Sequence, residues 1–244
     1  MMQGLAAAAS GLSSAQTVLG VYANDMANAQ TAGFLAEHPI VTEGPVRPLS
    51  PRALPGETGG GAVLSAVTRI DNGSSIQQTG NPLDLAIAGS GFFAVQTPGG
   101  QVALTRNGAF NRDAQGQLTT ASGLPVLNSK GNPIIVPAQG QVTIDGSGAI
   151  SVGGKATGET VGYVPAPAVN LGGVTGGPSG TLIPALPVLI RIPPPSGIVS
   201  GALDASQVSM VNMVVGLMRA QRTYAGTAKA LEAISSSTNT VANL

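Results

Sequence analysis

Apolar or small side chains recur at spacings of three and four at both ends of the chain. Near the start they fall at Leu5, Ala8, Leu12, Ala15, Leu19, Tyr22, Met26 and Ala29. Near the finish they fall at Met210, Met213, Leu217, Ala220, Tyr224, Thr227, Leu231, Ile234, Thr238 and Val241. Such spacing places each set on one stripe of an α-helix, and repeats of this length point to a coiled-coil seam. Neither stretch, 4–30 or 207–243, contains proline, although the chain has 18. A helix interior excludes proline because it lacks the N–H and clashes with the preceding turn. The pattern predicts two helices, roughly 40 and 55 Å long at about 1.5 Å per residue.

Between the helices the pattern changes twice. Residues 36–62 carry prolines at 39, 45, 48, 51 and 55 and then a glycine run. That composition predicts an extended connector. The glycine run lacks the Gly-Lys-Ser/Thr of a phosphate loop. Residues 63–200 predict an antiparallel all-β domain, with strands at Val63–Ile70, Ser75–Thr79 and Leu83–Ile87 and a hairpin of Phe92–Thr97 with Gln101–Thr105. Asn107-Gly108, Gln115-Gly116, Lys130-Gly131 and Asp145-Gly146 supply its turns. Residues 153–200 are the least legible, with eight prolines between 165 and 195. Thr181–Ile192, interrupted by Pro184 and Pro187, predicts an edge strand. The fold class expected is α+β: long terminal helices (1–35 and 201–244) forming a coiled-coil-like base, with the β domain inserted.

Charge alters the reading of the helices. From Met1 to Ala36 the only charged residue is Asp25. A solvated helix carries Lys and Glu on its outer face, for solubility and for i,i+4 pairing. Gly11, Gly20, Gly216 and Gly226 lie inside the two patterns, each costing about 1 kcal/mol against alanine. Small, uncharged surroundings of this kind suit a helix enclosed by other protein. Over the whole chain Lys plus Arg equals Asp plus Glu at 11 each, and 9% of residues are charged. No basic face for nucleic acid and no acidic face for cationic partners is expected.

Cysteine is absent, which removes disulfides, thiolate catalysis and Cys-ligated metals. The Ala-rich start is only superficially like a signal peptide, because no Lys or Arg precedes Arg47. Export without a cleaved signal is expected, and no membrane insertion, since no run of about 18 apolar residues occurs. His38, the only histidine, lies in the proline connector with no second imidazole, Cys or carboxylate pair beside it except Glu37. Asp71-Asn72-Gly73 and Asp145-Gly146-Ser147-Gly148 hold too few carboxylates for calcium. Asp84 and Asp113 sit where Asp bonds its own backbone, and Asp204 or Ser206 is placed to cap the second helix. No serine has the flanking glycines of a hydrolase elbow. No active site, cofactor or small-molecule substrate is expected.

Ala23-Asn24-Asp25-Met26-Ala27-Asn28-Ala29-Gln30-Thr31-Ala32-Gly33-Phe34 resembles the amino-terminal signature of bacterial flagellar rod and hook proteins. Asn24, Ala27, Asn28, Thr31, Gly33 and Phe34 match; Asp25 and Met26 depart from the usual Asn and Ile/Leu. Gly80-Asn81-Pro82-Leu83-Asp84-Leu85-Ala86-Ile87 through Gly91-Phe92-Phe93-Ala94-Val95 is similar to a second block of that family. Thr105-Arg106-Asn107-Gly108-Ala109-Phe110 with Asp113, Gly116 and Leu118 is similar to the next. Gly201-Ala202-Leu203-Asp204-Ala205-Ser206, followed by Val211, Met218, Gln221-Arg222, Tyr224 and Lys229, looks like its carboxy-terminal motif.

The resemblance implies a structural, non-enzymatic subunit of the flagellar basal-body rod in the periplasm. It would be exported by the flagellar export apparatus, polymerise helically with itself and other rod proteins, and transmit torque. The length and the segments Gly123–Leu127 and Asn132–Ile134 look more like the proximal F type, with the distal G type next. Hook protein and an exported β-rich adhesin are the alternatives. The residues expected to pack between subunits are Leu5, Leu12, Leu19, Tyr22, Met26, Asn28, Thr31, Gly33, Phe34, Met210, Met213, Leu217, Tyr224, Leu231 and Ile234.

Overall fold

The computed structural model describes residues 2–44, 47–48, 57–58, 61–69, 75–137, 140–166, 174–176, 181–184, 187–195 and 197–242. The molecule is α+β: two long helices and several small antiparallel sheets. It divides into two compact units. One holds residues 1–27, 37–68 and 209–244; the other holds residues 28–36 and 69–208.

In the helical unit, α1 spans Met2–Ala27 and α2 spans Met210–Ala242. The helices run antiparallel. Gly11 of α1 faces Thr227 of α2, and Tyr22 of α1 faces Gly216; moving up one helix moves down the other. The strands Glu37–Glu43 and Ala62–Arg69 form a two-stranded sheet. Pro39 is tolerated there because a two-stranded sheet consists of edges. His38 therefore sits on a strand and not in an irregular loop.

This small sheet is held to α1 by polar contacts. The Ser14 hydroxyl donates to the Ala62 carbonyl at 2.8 Å. The Asp25 carboxylate, fully buried, accepts the Glu37 N–H at 3.0 Å through Oδ2 and at 3.2 Å through Oδ1. The single charge of α1 is thus spent on a strand's first amide. Ser209 caps α2: its carbonyl accepts from the Met213 amide at 2.9 Å and its hydroxyl meets the Asn212 amide at 3.5 Å. The expected caps, Asp204 and Ser206, lie too far ahead of a helix that begins at Met210 and serve in the other unit.

The β unit is built around the hairpin of Gly91–Gln96 and Val102–Thr105, paired from Phe93↔Thr105 to Gln96↔Val102. Tyr163–Pro165 adds to one side, and Leu182–Pro184 then Val174–Gly176 add to the other. Leu182–Pro184 is thus an inner strand, not the expected edge. It borders Val102–Thr105 through the single pair Leu182↔Leu104, and Pro184 comes last, where the missing N–H is least costly. A second, three-stranded sheet joins Val142–Ile144, Ala149–Val152 and Lys155–Thr160.

Strand Gly91–Gln96 is buried on both faces. Phe93 and Val95 join Leu85, Ile87, Phe110, Leu118, Val126 and Ile134 in the main core. Phe92 and Ala94 point the other way, into a smaller cluster with Leu35, Leu104, Leu127, Val164 and Leu182. Alternation along a strand makes this possible. Phe93 and Phe110 meet edge to face, with centroids 5.1 Å apart and planes at 80°, the arrangement that ring quadrupoles favour.

Candidate functional site

Among the described residues, no three His, Cys, Asp or Glu side chains gather to hold a metal. No described helix is long and apolar enough to cross a membrane. The carboxylates considered from sequence are engaged locally. Asp113 Oδ1 accepts the amides of Gln115 and Gln117 at 2.9 and 2.7 Å. Asp84 accepts from the Thr79 hydroxyl at 2.7 Å and from the Asn81 amide at 2.9 Å. Asp145 accepts from the Ser147 hydroxyl at 2.7 Å, and its carboxyl is held below the usual value of 3.8, chiefly by that bond and against partial desolvation. Asp71-Asn72-Gly73 lies outside the described residues.

The feature that stands out is the α1–α2 pair. Of the expected packing residues, Met213 is buried, and Leu12, Leu19, Tyr22, Met26, Leu217, Leu231 and Ile234 are half-buried. Met210 and Tyr224 are exposed in the single chain. Nothing is described of the Leu5 side chain. Asn28, Thr31, Gly33 and Phe34 are not on a helix; they belong to the β unit, in the lead that follows α1.

A face of α2 missed by the three–four seam is apolar and exposed. Val211 is 73% and Met218 54% exposed, and Val214 and Val215 lie between them. Their offsets of three, four and seven put all four on one side of the helix. No charged residue occurs from Met210 to Met218. The sequence carries a signal for this face: Val211 and Met218 are motif residues, but Val214 and Val215 fall out of step with the seam stripe. α1 likewise has a second, buried stripe of Ser14, Val21 and Asp25, from which Ser14 and Asp25 bond the small sheet.

Between the helices runs a cleft of about 550 Å³. Gly11, Ser14, Ala15, Gly216 and Ala220 make it shallow-walled, Val18, Val215 and Tyr22 make it apolar, and Arg219 is the charged residue among the described ones that line it. Small side chains bring backbones close: a β-carbon on Gly216 would stand 2.7 Å from the Tyr22 ring. Contiguous exposed apolar surface of this kind marks protein–protein contact. What this surface can do chemically is bury itself.

Comparison with known proteins agrees with that character. Residues 86–152 match the family described as Flagellar hook protein FlgE/F/G D1 domain. The chain is similar to the flagellar basal-body rod protein FlgF of Mesorhizobium japonicum, 30% identical over 91% of this chain and 88% of that protein. It is also similar to the flagellar basal-body rod protein FlgG of Caulobacter vibrioides, 32% identical over 91% and 92% respectively. The FlgF of Escherichia coli is 39% identical over 54% of this chain and 49% of that protein.

Proposed function

We propose, for a chain that belongs to the flagellar basal-body rod protein family, that it is a structural subunit which polymerises through α1 and α2 into a helical shaft and transmits torque. The observation that carries this reading is the uncharged, exposed α2 face of Val211, Val214, Val215 and Met218. The cleft and this face adjoin at Val215, while Val211, Val214 and Met218 lie outside the cleft's lining. Joining unlike surfaces of successive copies makes a heterologous contact, and such contacts generate open helical filaments when the rotation does not close. Each large apolar side chain buried this way contributes about 1.5–3 kcal/mol.

In the assembled shaft the seam residues Leu5, Leu12, Leu19, Tyr22, Met26, Met210, Met213, Leu217, Tyr224, Leu231 and Ile234 pack against neighbouring helices, in coiled-coil fashion. Asn28, Thr31, Gly33 and Phe34 set the chain's path out of α1. Partners are further copies, other rod proteins and the flagellar export apparatus. Within the rod we assign the proximal, F-type position on the length and the 123–134 segment. Imaging a tagged subunit along isolated rods tests that position, and a distal location would reverse it.

The assembly reading is tested by Val211→Asp with Met218→Asp. The purified variant should keep wild-type helix content by circular dichroism, yet fail to assemble and leave a strain non-motile. Deleting residues 1–30 should have the same effect on motility. A motile strain carrying either change would contradict the proposal.

A further inference from the structure

A buried ion pair in the β unit joins two distant motifs. Arg106 Nε donates to Asp204 Oδ2 at 3.0 Å, with the two side chains 1% and 0% exposed. The rest of the guanidinium is used on backbone: Nη1 donates to the Gly91 carbonyl at 3.2 Å, and Nη2 to the carbonyls of Ile87, at 3.3 Å, and Gly89. Asp204 Oδ2 also accepts the Ile87 amide at 3.3 Å, and the Asp204 carbonyl accepts the Gly33 amide at 2.8 Å. Gly33, with φ of 65°, lies flat on the next turn: a β-carbon there would stand 2.3 Å from the Arg106 carbonyl carbon. Two further bonds tie the leads to each other, Gln207 N–H to the Phe34 carbonyl at 3.0 Å and the Ser206 hydroxyl to the Asn28 carbonyl at 3.2 Å.

Chain connectivity gives this cluster its significance. The chain passes between the units after residues 27, 36, 68 and 208. Lead 28–36 is bounded by the first two crossings, and lead 201–208 ends at the last. We infer that Arg106 and Asp204 form a latch that welds both leads to the β unit, so that three of the four crossings start from one rigid anchor. Arg106 and Asp204 are positioning residues. The inference rests on the rod reading only for its purpose, which is to give load a stiff path into the helices.

The test is amide hydrogen exchange on the purified full chain, kept dilute and unassembled. Arg106→Lys keeps the charge but not the planar fork. Exchange at Gly33 and Gln207 should rise at least tenfold, while Ala94 and Leu104 in the central hairpin change less than threefold. Gly33→Ala, which leaves the ion pair's atoms in place, should loosen Gln207 in the same way and covers the case in which the Arg106 variant does not fold. Unchanged protection at Gly33 and Gln207, or a loss shared equally with Ala94 and Leu104, would overturn the latch. Because no assembly is involved, failure to polymerise bears on the rod reading and leaves this result standing.

Discussion

The two units bury apolar surface in opposite ways. The β unit hides Phe92, Phe93, Phe110, Leu85, Ile87, Leu104 and Leu118 almost completely. In the helical unit the buried apolar side chains, among the described residues, are Ala15, Val21, Met213 and Ala220. Among its large ones, Ile40, Val41, Val63, Met210, Val211, Val214, Val215, Met218 and Tyr224 are exposed, and the large seam residues from Leu12 to Ile234 are, apart from Met213, at best half-buried. The β unit exposes Ile76, Ile135, Leu189 and Ile192 too, but against a complete interior. A unit that leaves this much large apolar surface outside gains less from folding alone and more from being covered. The difference teaches that one unit is finished by its own sequence, and the other by its neighbours.

Removing a side chain from the finished unit should produce the largest loss. Phe93→Ala should destabilise the β unit by about 3–5 kcal/mol, since it leaves a cavity beside Phe110; urea unfolding reads this directly. A loss below about 1 kcal/mol would erase the contrast with α2, where Val211→Ala should move monomer stability by no more than about 0.5 kcal/mol. Next comes Asp25→Ala, which strips the Glu37 amide of its carboxylate and should cost about 1–3 kcal/mol. The loss should appear in the helical unit, as faster exchange at Glu37, with the β unit unchanged.

Glycines sharpen the comparison further. A β-carbon added at Gly226 would meet nothing within 4 Å, whereas Gly216 lies against Tyr22. Gly226→Ala should raise thermal stability by up to about 1 kcal/mol of helix propensity. Gly216→Ala should lower it, because the same gain is outweighed by about 1–3 kcal/mol of overpacking. The smallest effect belongs to Asp145. Its folded-state carboxyl lies below 3.8, held there first by the Ser147 hydroxyl. Its stabilising contribution is therefore present above the unfolded value and lost as pH falls through the folded one. The site is highly exposed, so screening keeps the effect small. NMR of the hairpin of Val142–Ile144 with Ala149–Val152 should show it loosening below about pH 4, and Asp145→Asn should remove that pH dependence.

Much of this architecture is legible in the chain. The terminal helices announce themselves through three–four spacing and the lack of proline, and the Phe92–Thr105 hairpin through alternation around Pro98-Gly99-Gly100. The strand Glu37–Glu43 is hidden, because its stability comes from Asp25 and from pairing with Ala62–Arg69, neither of which is a local signal. Leu182–Pro184 reads as an edge from its prolines, yet lies inside the sheet, because the proline rule depends on position along the strand. The exposed face of α2 is obscured by following a single stripe: Val211, Val214, Val215 and Met218 are as periodic as their neighbours. The Arg106–Asp204 pair joins residues 98 apart in sequence, and only the fold brings them together.

The most direct measurement is hydroxyl-radical footprinting of Met218 and Tyr224 in the dilute monomer and in isolated basal bodies. Both side chains are exposed in the single chain. The account predicts that their oxidation slows at least tenfold in the rod, while exposed positions of the β unit such as Leu189 change little. Equal oxidation of Met218 in the two states would contradict it.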